Sequence, residues 1–115
     1  MYIYDRANAL AEDIKASSEY IAYKNAKDAV YADAGAKDLV MQYKKLQFEA
    51  QATMMAGKQP EPQTMEKLQK IGEVLSFNPA VSEFFAAEYK FQTLIADIYK
   101  IIGAACDFGT NFLSE

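Results

Sequence analysis

The sequence predicts an all-α protein, an antiparallel helical bundle of about five helices, two of them long, completed by oligomerisation. Apolar residues recur at steps of three and four through most of the chain, and no segment alternates with the period of two that a strand requires. The only prolines, Pro60, Pro62 and Pro79, fall between such segments. The last segment, from Asn78-Pro79 to about Cys106, runs roughly 40 Å at 1.5 Å per residue, whereas a compact globule of this size has a radius of gyration near 13 Å. A helix that outruns its own globule leaves apolar surface for a second copy or another protein.

The first helix is marked by Ile3, Ala7, Leu10, Ala11 and Ile14, with Asp5 near its start, where the helix dipole favours negative charge. Ser17-Ser18-Glu19 reads as a break and a new N-terminus. The second helix carries Tyr20, Tyr23, Ala26 or Lys27, and Val30 on one face and ends near Asp33, which can cap the third. That long third helix sets Ala36, Leu39, Val40, Tyr43, Leu46, Gln47, Ala50 and Met54 in register, with Gly57 placed as its stop. Residues 57–63, which include Gln59-Pro60-Glu61-Pro62, are expected to form an exposed loop. Thr64 is placed to cap a shorter fourth helix carrying Met65, Leu68, Ile71 and Leu75. Asn78 is a favourable N-cap and Pro79 suits the first helical position of the fifth. Residues 108–115 read as a frayed tail to a single domain spanning 1–115.

Composition excludes more than it proves. With 16 acidic and 12 basic residues the net charge is −4, which repels phosphate and makes nucleic acid a poor partner. There is no histidine and one cysteine, so most routes to a transition-metal site, a histidine-based triad or an intramolecular disulfide are closed. No catalytic residue, metal ligand or cofactor is assigned. No apolar run is long enough to cross a membrane, and a cytoplasmic location is expected.

In the fifth helix Phe84, Glu88, Phe91, Ile95, Ile98 and Ile102 follow one another at steps of four and three, which places them on one seam. These six form the candidate oligomer or partner interface. Glu88 is the single carboxylate in that seam. It either reaches water at the seam's edge as the helix drifts against a strict heptad, or is buried against a basic or hydroxyl partner and fixes register, with catalysis the remote third. Cys106 is expected as a small buried hydrophobe rather than a reactive thiol. Most of the eight tyrosines and seven phenylalanines fit core packing, but Tyr2, Tyr4, Tyr89 and Tyr99 fit it least and are candidate exposed anchors. Lys24, Lys27, Lys44 and Lys45 offer an alternative, a local basic face for RNA.

Taken in order, Tyr4-Asp5 with Ala7-Asn8 and Leu10, Ser18-Glu19-Tyr20, Asp33 with Ala36, Tyr43, Gln47, Asn78, Ala87-Glu88, Leu94, Ile98 and Ile102 resemble the bacterial YlbF, YmcA and YheA family. The resemblance covers nearly the whole chain. It implies an all-helical fold that assembles into oligomers with no catalytic centre. Its implied partners are the chain itself, other family members or an RNA-processing complex. Some members act with partner proteins as regulators of mRNA processing, and thereby of competence, sporulation and biofilm formation. A cysteine-rich C-terminal tail associated with iron–sulfur clusters in YlbF-type members has no counterpart here, since Cys106 is the only cysteine. Glu88 matches the glutamate of the family's Ala-Glu pair.

Overall fold

A computed structural model describes residues 2–107. Five helices follow in order: α1 (Tyr2–Lys15), α2 (Ser18–Tyr31), α3 (Ala34–Met55), α4 (Pro62–Ser76) and α5 (Pro79–Cys106). No strand occurs among the described residues. The fold class is therefore all-α, and α3 and α5, with 22 and 28 residues, are the two long helices.

Local chemistry sets most of the boundaries. The Ser17 hydroxyl accepts a hydrogen bond from the Tyr20 N–H at 3.1 Å and donates to the Ile14 carbonyl at 2.6 Å, so one side chain closes α1 and opens α2. Asp33 caps α3 as expected, its Oδ1 accepting from the N–H groups of Gly35 at 3.0 Å and Ala36 at 3.2 Å. At the other end of α3, the Lys58 N–H donates to the Thr53 carbonyl and the Gly57 N–H to that of Met54, the paired bonds of a Schellman motif. Gly57 has φ +82°, a conformation that costs a residue with a Cβ, and it stops the helix where the sequence places the stop. Asn78 Oδ1 accepts from the Ala80 N–H at 3.0 Å at the start of α5.

One boundary differs from expectation. The fourth helix begins at Pro62, and Thr64 lies inside it. Pro62 holds the fixed φ of a first helical residue and lacks the N–H that would be orphaned there, so the helix starts without a side-chain cap, and the loop is shorter than residues 57–63. At the far end Asp107 adopts φ +48° and its N–H donates to the Gly103 carbonyl at 2.8 Å. The tail expected over residues 108–115 lies outside the described residues.

The chain divides into two compact units, each with parts of α2 and α5. One is Asn25–Phe85; the other joins residues 2–24 with 86–107. The unit Asn25–Phe85 has a conventional core of Val30, Ala36, Val40, Ala50, Leu75, Val81 and Phe84. Its α3 and α4 fold back on one another, with Tyr43 over Gly72. Phe84 is 1% exposed, its ring edge-on to Tyr31 at 6.2 Å and 5.7 Å from Phe85.

The second unit is built differently. Every hydrophobic side chain that is buried among the described residues lies in Asn25–Phe85, and α1 buries none at all. What organises residues 2–24 and 86–107 is a half-buried aromatic cluster: Phe91 stacks on Tyr23 at 5.2 Å and meets Tyr20 edge-on at 5.3 Å.

Candidate protein-interaction site

The seam of α5 does not have one environment. Phe84 belongs to the core of Asn25–Phe85, which corrects its assignment to an interface: a side chain with 1% of its surface exposed has almost nothing left for a partner. Phe91, Ile95 and Ile98 are half-buried, and Ile102 is exposed. Glu88 is also half-buried and has an interaction within the chain. Of the seam, Glu88, Phe91, Ile95, Ile98 and Ile102 thus keep some accessible surface.

Around them the same unit exposes more apolar surface. Tyr2, Ile3 and Tyr4 project from the first turn of α1, and Leu10 from its middle. Tyr89, Tyr99 and Ile101 are exposed on α5. All four tyrosines singled out as candidate anchors therefore lie on the surface. Arg6 reaches back over the Tyr2 ring, 5.6 Å from its centroid, the spacing that residues four apart on a helix allow. Ile101 carries no signal in the seam pattern. It lies one step off the Ile98–Ile102 line and widens the apolar surface of the last turns.

Cys106 is exposed, not buried as the sequence pattern predicts. It occupies the last residue of α5. Among the described residues no three Asp, Glu, Cys or His side chains converge on a common point, and no helix is long and apolar enough to cross a membrane.

The lysines are partly spent within the chain. Lys27 Nζ lies 5.3 Å from the Tyr31 ring centroid and Lys44 Nζ 5.3 Å from that of Phe84, both side chains half-buried. Lys24 is exposed and has an intrachain interaction, and Lys45 is exposed. An open groove of about 630 Å³ runs along α3 and α4, lined by Tyr43, Gln47, Pro62, Met65, Leu68 and Gln69 with Glu66. Glu66 is exposed and pairs with Lys70 at 3.1 Å.

Five helices with tyrosines and isoleucines exposed on the surface, and no cluster of acidic or cysteine side chains among the described residues, define a small all-helical protein. Comparison with known proteins gives the family. The model for control of competence regulator ComK, YlbF/YmcA, matches residues 3–106, and the chain belongs to the YlbF/YmcA family. A UPF0342 protein of Clostridium novyi is 38% identical over 107 residues, covering 93% of this chain and 94% of its own. One from Halothermothrix orenii is 32% identical over 109 residues, covering 95% and 92%. Among solved structures, a protein of unknown function (DUF964) from Bacillus stearothermophilus shares the fold with TM-score 0.75 and 21% identity, over 93% of this chain and 94% of that one. Bacillus subtilis RicA, in a crystal structure with RicF, shares it with TM-score 0.62 and 24% identity, over 92% and 94%.

Proposed function

We propose that this protein is a non-enzymatic adaptor or regulator that works by assembling with protein partners, itself or another family member, through α1 and the part of α5 beyond Phe85. The observation that carries this reading is the contrast between the two units. Residues 25–85 bury a core, whereas residues 2–24 and 86–107 bury no hydrophobic side chain and leave tyrosines and isoleucines exposed. A 14-residue helix with none of its residues buried is marginal in water, so the persistence of α1 calls for a cover.

Family membership supports the reading, as does the pairing of RicA with RicF in a protein of the same fold. The finer role, regulation of mRNA processing and through it of competence, sporulation or biofilm formation, rests on membership alone. Sedimentation velocity at micromolar concentration tests the assembly. The wild type is expected to sediment as a dimer or larger, and Ile98→Glu, which sets a charge among the half-buried seam residues of α5, is expected to lower that mass. A monomeric wild type that also recovers no protein in a crosslinked pull-down would overturn the proposal.

A further inference from the structure

The helix α3 has two apolar faces, and among the described residues only one is covered. Ala36, Val40 and Ala50 point into the core. On nearly the opposite side, Met41, Phe48 and Met55 repeat every seven residues and are 53%, 72% and 83% exposed. Lys45 and Ala52 fall between them at alternating steps of four and three, so Met41, Lys45, Phe48, Ala52 and Met55 form a continuous seam with coiled-coil spacing. All five are exposed. Neither Lys45 nor Glu49, which borders the seam, has an ion-pair partner within the described residues.

From this seam we infer that α3 pairs with α3 of a second copy, antiparallel and about a two-fold axis near its midpoint. The stretch from Met41 to Ala52 is complementary to itself in that orientation, with Met55 lying beyond it at the rim, level with Asp38 of the other copy. With Lys45 set opposite Phe48 of the other copy, each ammonium lies against a ring, and symmetry repeats the contact. The same register places Met41 opposite Ala52 of the other copy, a long flexible side chain against a small one, again twice. Glu49 of each copy then stands beside the incoming Lys45, giving that cation a carboxylate at the rim. A parallel arrangement has none of this. It stacks Lys45 on Lys45 and Phe48 on Phe48, and leaves Ala52 facing Ala52 across a gap. Like charges opposed at a seam are a strong selector against a register. The contact is made by residues of Asn25–Phe85 alone, a different set from those of α1 and α5 assigned above.

Engineered disulfides read the orientation directly. In a Cys106→Ala background, the double variant Met41→Cys/Ala52→Cys is expected to give a crosslinked dimer on a non-reducing gel after mild oxidation, and neither single variant is expected to do so. Residues 41 and 52 are about 16 Å apart along one helix, so they cannot bridge within a chain. Phe48→Glu is expected to weaken self-association about tenfold or more, and Lys45→Glu to weaken it with partial recovery when Glu49→Lys is added. No crosslink in the double variant, or an equally strong one in Met41→Cys alone, would overturn the antiparallel pairing. Repeating the crosslink with Ile98→Glu separates the two surfaces. A persistent crosslink supports the α3 contact whatever becomes of the α5 surface. Dimers abolished by Ile98→Glu but untouched by Phe48→Glu would refute it.

Discussion

The Tyr43 ring lies over Gly72, so close that a β-carbon on Gly72 would stand 3.4 Å from Cε1. That distance is the near edge of ordinary contact and sets how closely α3 and α4 approach. Gly72→Ala is therefore expected to be neutral or to stabilise by up to about 1 kcal/mol through helix propensity. Gly72→Leu, which must displace the ring, should destabilise by about 1–3 kcal/mol. Urea unfolding of the two variants checks the pair of outcomes.

Phe84 and Phe91 are seven residues apart on one helix and should respond differently. Phe84→Ala opens the core of Asn25–Phe85 and is expected to cost about 3–5 kcal/mol. Phe91 is half-buried against Tyr20 and Tyr23, and its truncation should cost less, about 2 kcal/mol. A double-mutant cycle of Tyr23→Ala with Phe91→Ala should return a coupling of about 0.5–1.5 kcal/mol for the stacked pair.

The connections depend on single groups. Asp33→Ala removes the acceptor for the Gly35 and Ala36 N–H groups and should cost about 1 kcal/mol, while Asp33→Asn should keep most of it. Gly57→Ala, at φ +82°, should cost about 1 kcal/mol although its β-carbon would meet no atom within 4 Å, because the penalty is conformational. Thermal unfolding of the three variants distinguishes these costs from wild type.

Glu88 lies half-buried on the seam of α5 and has an interaction within the chain. If its carboxylate fixes the register of an assembly, Glu88→Leu should keep or raise the melting temperature while changing the oligomer mass. Light scattering reads the mass, and an unchanged value would deny Glu88 that role.

Much of this fold was legible in sequence because helix ends are written in local chemistry. Asp33, Asn78 and Gly57 act within three residues of themselves, and each sits where its side chain or its lack of one predicts. Thr64 misled because Pro62, two residues earlier, starts a helix without a cap. The seam of α5 was legible as a line but not as an environment: periodicity states which residues share a face, not what lies opposite. Phe84 and Phe91 share a face, yet one is in a closed core and the other in an open aromatic cluster. For the same reason Cys106 looked buried. The outer face of α3 was hidden by its stronger inner one, since Met41, Phe48 and Met55 are separated by full heptads with Lys45 in the line.

Amide hydrogen exchange along α1, followed from about 1 μM to about 100 μM protein, tests the central claim most directly. If assembly covers the apolar surface of residues 2–24 and 86–107, protection of α1 rises with concentration, and Ile98→Glu removes the rise. Exchange that stays fast and independent of concentration, in a protein that remains monomeric throughout and shows no added protection with a crosslinked partner, would contradict it.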